Sequence, residues 1–203
     1  SDAYDCKIET PFKSISYNDS MNLYGTDKPD MRITETLNDI TDFFNNTEIN
    51  FLKDILKNGG LIKALHTKEL LTRKQIDTLD TDIKEMGSNG LGWFKIDNKE
   101  ITGPLAKLLK ESEKSEILKL GSGTLLFQAG DLHSIAQYLD FIRRTIFKPS
   151  LNDMYSFVWI EDFPFFEYED DKLQPSHHPF TSPKDNEIFK NDPINAIALH
   201  YDL

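Results

Sequence analysis

The chain is poor in cysteine, in long apolar runs and in positive charge. Its one cysteine, Cys6 among 203 residues, excludes an internal disulfide framework and a Cys-based zinc site. That usage is the one expected in a reducing, cytoplasmic setting. No apolar run approaches the ~18–20 residues a membrane span needs. The opening Ser1-Asp2-Ala3-Tyr4-Asp5 has neither the basic nor the apolar region of a signal peptide. Lys and Arg number 23 against 34 Asp and Glu, a net charge of -11. A free-standing nucleic-acid binder is usually basic, because it must neutralise phosphates. The imbalance therefore argues against this chain supplying the main grip on a nucleic acid. An acidic protein can still use nucleotides, because a few placed cations suffice in a site. There is no G-x-S-x-G, H-E-x-x-H or Rossmann fingerprint, and Gly25 stands without the glycine repetition of a P-loop.

What is present is the balance of a globular protein, 38% hydrophobic and 28% charged, long enough for one complete domain and part of another. Four zones follow one another. Tyr17 to Tyr24 can make two helical turns, and Gly25 to Asp30 is a Gly- and Pro-punctuated loop. From about Ile33 to Lys148 the pattern is that of a small α/β domain. A short helix is expected over Leu37–Phe44. Phe51–Leu56 and Leu61–His66 flank a tight turn at Asn58-Gly59-Gly60, as in a hairpin. Thr72 caps a helix running to Met86, with Ile76, Leu79 and Ile83 on one face and Gly87 as the stop. Leu91–Ile96 and Thr124–Gln128 suit strands. Pro104–Leu109 opens a helix, Ser115–Leu120 adds another, and Leu132–Phe147 is a long amphipathic one. This alternation predicts an open sheet with helices on one face. In the third zone Phe157-Val158-Trp159-Ile160 predicts a strand buried on both faces. A hairpin follows, turning at Glu169–Lys172 and leading to His177-His178. Asp185–Leu203 contains a further helix-like stretch. The second zone interrupts the character of the first and third, which is the pattern of an inserted domain.

Three stretches carry chemical potential. His177 and His178, adjacent at the end of a strand, point to opposite faces, so they are not a two-toothed metal clamp. One of them suits a substrate carboxylate or phosphate, and the Pro179–Lys184 loop behind them is stiffened by two prolines. A surface turn is the plainer alternative. Gly25-Thr26-Asp27-Lys28-Pro29-Asp30-Met31-Arg32 either walls a polar site or forms a solvated turn with weak ion pairs. The carboxylates of Glu161-Asp162-Phe163-Pro164-Phe165-Phe166-Glu167 either hold Mg²⁺ and do acid–base work or pair with basic neighbours at a strand end. His66, His133 and His200 have no partner at metal or triad spacing and are taken as structural.

Together the motifs say more. Tyr24–Arg32 resembles the Y/F-G-S-D-K-P-D-L-R signature of bacterial-type aspartyl-tRNA synthetases. Leu71-Thr72-Arg73-Lys74-Gln75-Ile76-Asp77 is similar to the L-T-R-K-x-I-D of their inserted domain. Gly90–Ile96 and Gly103–Lys107 resemble its G-L-A-W-hydrophobic-K-V and S-P-hydrophobic-A-K. Trp159–Glu167 resembles W-V-x-D-F-P-hydrophobic-F-E, and His177–Lys184 matches H-H-P-F-T-S-P-K. The motifs fall in family order from about Pro11 to Leu203.

The resemblance implies a class II synthetase. Its fold class would be α+β: residues 1–32 and 151–203 form part of a mostly antiparallel catalytic sheet. Residues 33–150 would form an insertion shared with the B subunit of tRNA-dependent amidotransferases, the GAD domain. It implies aspartate, ATP, Mg²⁺ and tRNA as the parent's substrates and cofactors, a homodimeric parent, a cytoplasmic location and no membrane. His177 inherits a contact to aspartate, and His178 a place in the same pocket. No catalytic residue and no metal ligand is carried over to this segment. The family's α-phosphate arginine and its later Glu- and Arg-bearing motifs have no counterpart here. The segment alone, monomeric in this reading, is therefore expected neither to bind ATP and Mg²⁺ tightly nor to charge tRNA. The alternative reading is a stand-alone GAD-type tRNA-contact or interdomain module.

Overall fold

The computed structural model describes residues 10–149, 156–169 and 172–203; Cys6 and part of the Glu169–Lys172 turn lie outside them. In chain order the elements are β1 (Lys13–Ser16), α1 (Tyr17–Tyr24), β2 (Asn38–Asp39), α2 (Asn50–Lys57), β3 (Leu61–Thr67) and α3 (Arg73–Glu85). Then come β4 (Gly92–Asp97), β5 (Glu100–Thr102), α4 (Glu111–Lys119), β6 (Gly123–Gly130) and α5 (Leu132–Ile146). The last are β7 (Val158–Glu161), β8 (Phe166–Glu169), β9 (Lys172–Pro175), α6 (Asn186–Asn191) and β10 (Tyr201–Asp202). Contacts divide the chain into two units, one made of residues 22–26 and 33–148, the other of the remaining described residues.

The first unit is built on a five-stranded sheet ordered β2-β3-β6-β4-β5, antiparallel at every pairing. Side chains alternate between its two faces. Ile62, Ala64, Phe94, Ile96, Leu125 and Phe127 meet Leu52 of α2 and Ile117 of α4 on one face. Leu65 and Leu126 meet Ile76, Leu79 and Ile83 of α3 and Leu139 and Ile142 of α5 on the other. The α+β class holds, but helices cover both faces of the sheet, not one. The reason is visible in β3 and β6: their apolar residues are nearly continuous rather than alternating, so each face demands cover.

Three local expectations are also corrected. Phe51–Leu56 is helical, because Leu52, Ile55 and Leu56 form a stripe at helical spacing and Leu52 is fully buried. Asn58-Gly59-Gly60 then ends a helix instead of turning a hairpin, with Gly59 at φ 79° and the Gly60 N–H donating to the Ile55 carbonyl at 3.0 Å. Leu37–Phe44 and Pro104–Leu109 contain only 3₁₀ turns, Thr41–Phe44 and Ala106–Leu108, with β2 preceding the former. The helix after Thr72 forms as expected. Thr72 Oγ1 accepts from the Gln75 N–H at 3.3 Å and Gln75 Oε1 from the Thr72 N–H at 2.7 Å, a reciprocal capping box.

The second unit has a mixed three-stranded sheet, with β1 parallel to β7 and β10 antiparallel to it. Val158, Ile160 and Phe163 form its core with Ile15, Tyr17 and Met31. Trp159, on the opposite face of β7, is half-buried and stands edge-on to Tyr201 at 5.3 Å. β8 and β9 form the expected hairpin, which delivers the chain to His177.

Candidate functional site

His177 and His178 diverge as adjacent residues leaving a strand must. His178 is exposed, its ring 4.7 Å from the Phe180 ring and its Nδ1 accepting weakly from the Phe180 N–H at 3.4 Å. His177 turns inward. Its ring stands edge-on to Phe163 at 5.7 Å and stacks on His200 at 4.3 Å between centroids, the planes 27° apart. Its Nε2 is buried without a hydrogen-bond partner. The other ring nitrogen is the one left to interact with the Pro164 backbone; proline has no N–H, so the ring donates and the carbonyl accepts.

Burial holds the proton affinity of His177 below the ordinary histidine value, and the charge of His200 adds to the effect. The Pro164 carbonyl, Glu167 on β8 and Asp202 on β10 oppose it without reversing it. Asp202 Oδ1 also lies 3.6 Å from His200 Nε2. Tyr17, at the start of α1, packs its ring 5.0 Å from Phe163. Its hydroxyl is pushed up to about 12 by burial first, then by Glu167 and Asp27. One aromatic residue, Phe163, thus separates a phenol from two imidazoles, with carboxylates around them.

The loops around this cluster are tied by backbone bonds. The Ala198 N–H donates to the Phe163 carbonyl at 2.8 Å, and the Lys184 N–H to the Ile197 carbonyl at 2.8 Å. The Pro179–Lys184 loop is thereby fixed beside the segment that leads to His200. Asp162 pairs with a basic neighbour, Lys184, at 2.5 Å, whereas Glu161 accepts from Ser14 Oγ at 2.5 Å. In the Gly25–Arg32 loop, Asp30 binds the Arg32 side chain at 2.7 and 2.9 Å, while Asp27 belongs electrostatically to the Tyr17 environment. Among the described residues no three His, Cys, Asp or Glu side chains come together as a metal centre. No helix among them is long and apolar enough to cross a membrane.

His200, expected to be structural for want of a partner at metal or triad spacing, lies against His177. Only the antiparallel pairing of β10 with β7, which sets Tyr201 against Glu161 and Asp202 against Ile160, brings it to His177.

Comparison with known proteins places this geometry. Residues 52–139 match the GAD domain family. Over 196 residues, 92% of this chain, it is 39% identical to the aspartate–tRNA(Asp/Asn) ligase of Hydrogenobaculum, covering 33% of that protein. It is 36% identical over 212 residues, 98% of the chain, to the ligase of the same name from Caldanaerobacter subterraneus, covering 36% of it. The Aquifex aeolicus ligase is 34% identical over 194 residues, 91% of the chain and 32% of that protein. The chain is thus similar to the GAD family over residues 52–139 and to these ligases along most of its own length, and it spans about a third of theirs.

Proposed function

We propose that this GAD-bearing segment comes from an aspartate–tRNA ligase and that His177 contacts the aspartate substrate. The parent would join aspartate to tRNA in two steps. A carboxylate oxygen of aspartate attacks the α-phosphorus of ATP and pyrophosphate leaves. A hydroxyl of the tRNA terminal ribose then attacks the aspartyl carbonyl and AMP leaves. Such chemistry depends chiefly on holding the reactants in place and offsetting their charge. The names of the relatives cover both aspartate and asparagine tRNAs, and we carry both to the parent as acceptors. A cytoplasmic location and a homodimeric parent go with this reading. ATP and Mg²⁺ belong to the parent reaction; the described residues offer no metal centre of their own, and no step is assigned to a metal on them.

The observation that carries the reading is the buried, unpartnered Nε2 of His177 with Glu167 and Asp202 close enough to act on its charge. An imidazole that can gain a proton, set beside carboxylates, suits a ligand bearing both signs of charge. A free amino acid is such a ligand. Neutral His177 presents a lone pair at Nε2 and, once protonated, an N–H that a carboxylate can accept. His178, exposed and turned to Phe180, is assigned a supporting place in the loop.

The test is ATP–pyrophosphate exchange in the full-length ligase carrying His177→Gln. The KM for aspartate should rise at least ~10-fold, about 1.4 kcal/mol of lost binding, with the KM for ATP little changed. An unaltered aspartate KM would remove His177 from the pocket.

A further inference from the structure

His200 lies outside the His-His-Pro-Phe stretch, yet its ring lies closer to His177 than that of Phe163 does. The two imidazoles stack at 4.3 Å, and Phe163 stands edge-on to both, at 5.7 Å and 84° from His177 and 4.8 Å and 80° from His200. Asp202, 3.6 Å from His200 Nε2, sits on β10, whose register against β7 is fixed by backbone pairing. His177 is thus held by Phe163 at its edge, His200 on a face and the Pro164 carbonyl at one nitrogen, which leaves Nε2 as the atom with no partner.

We propose that His200 is a positioning residue for His177, its stacked ring holding that imidazole in one plane and setting a second ionisable group against it. The proposal rests on His177 being the aspartate contact. His200 touches no reacting atom in this scheme; it acts through its neighbour.

The physical argument has two parts. A side chain that contacts substrate gains from having its rotation restricted before binding, because the ordering cost is already met. The stack and the Phe163 edge do this for His177. The second part is electrostatic. Glu167 and Asp202 draw a proton to His177, whereas burial and His200 resist it. A cation at 4.3 Å between ring centres is close enough to shift that balance, since like charges disfavour one another's charged form. A carboxylate arriving from solution adds a third anion and tips His177 toward its protonated, donating form.

The experiment uses the 203-residue chain and follows each imidazole by proton–carbon NMR across pH 4.5–8.5. His200→Phe keeps a flat ring in the stack and removes the charge; His200→Gln removes the charge and the stack. In both, the His177 midpoint should rise by at least ~0.3 pH, provided amide spectra show the fold intact. A midpoint within ~0.1 pH of the unsubstituted chain in both variants overturns the proposal. A purely structural role would leave that midpoint in place. In the full-length ligase, His200→Phe should alter the pH dependence of the aspartate KM while leaving the ATP KM unchanged. If the NMR midpoint moves but the aspartate KM ignores both His177→Gln and His200→Phe, the histidine pair stands and the aspartate assignment falls. If His177→Gln raises the aspartate KM while the midpoint stays fixed, the assignment stands and the role of His200 falls.

Discussion

Arg143 on α5 is fully buried and reaches two backbone carbonyls far back in sequence. Its Nε donates to Glu35 O at 2.6 Å and its Nη2 to Ile33 O at 2.7 Å, and its guanidinium lies 4.9 Å over the Tyr24 ring. Asp140, one turn earlier, is buried as well and binds Arg144 at 2.8 Å; burial pushes its carboxyl up, while Arg144 and Arg143 pull it back. Arg143→Met would remove the Arg143 donor from the buried Ile33 carbonyl and from the Glu35 carbonyl, and leave Asp140 with one cation fewer. Breaking such a buried set costs about 3–5 kcal/mol. Urea denaturation of the chain, followed through Trp93, should show that loss; a change below ~1 kcal/mol would mean the carbonyls find water. Sequence reading marked Gly25 as a loop glycine and gave no hint of this clamp. The structure gives Gly25 a second reason to be glycine: φ is 77°, and an added Cβ would lie 2.6 Å from the Ala136 carbonyl oxygen on α5. Both facts depend on contacts more than a hundred residues apart, which local spacing does not encode. His177 stands in a contiguous motif that local reading can single out. The place of His200 against it depends on a strand register, which local reading cannot.

At the scale of elements, the best-read helix is the one whose ends carry their own chemistry. In α3, Thr72 and Gln75 close a capping box at the start, and Gly87 at φ 104° ends it, with the Ser88 N–H donating to the Ile83 carbonyl at 2.9 Å. Thr72→Ala should therefore cost about 1 kcal/mol, seen as a lower urea midpoint with an unchanged slope; Thr72→Ser should recover most of it. A neutral Thr72→Ala would show that core packing alone sustains α3. Where the sequence reading failed, the end signals were shared between alternatives. Asn58-Gly59-Gly60 serves a hairpin or a helix stop equally well, and the burial of Leu52 between α2 and the sheet settled which. The helices on both faces match the unbroken Leu125-Leu126-Phe127 run, whose residues alternate between the two cores, a signal that the expectation of one covered face left out. Alternation of strand and helix along the chain does not by itself say on which face each helix lands.

For the whole molecule, charge is divided as unevenly as structure. Residues 22–26 and 33–148 carry 16 Lys and Arg against 17 Asp and Glu, so nearly all of the net -11 resides in the rest of the chain, with the His177 cluster. The global acidity that argued against nucleic-acid contact thus says little about the unit that holds residues 52–139. That unit also sets Arg73 and Lys95 5.2 and 5.8 Å from the Trp93 ring centre, while Arg73 is paired with Asp77 at 2.8 Å. A near-neutral surface with a few cations supports weak phosphate contact and no more, because each neutralised phosphate contributes a slope of about -0.9 in log affinity against log salt. In a gel-shift titration the chain should retard tRNA at ~20 mM salt and lose it by ~150 mM, with a slope no steeper than about -3. Binding that survives ~200 mM salt, or a slope near -6 or beyond, would mean that this unit presents a far more cationic face to RNA than its composition provides.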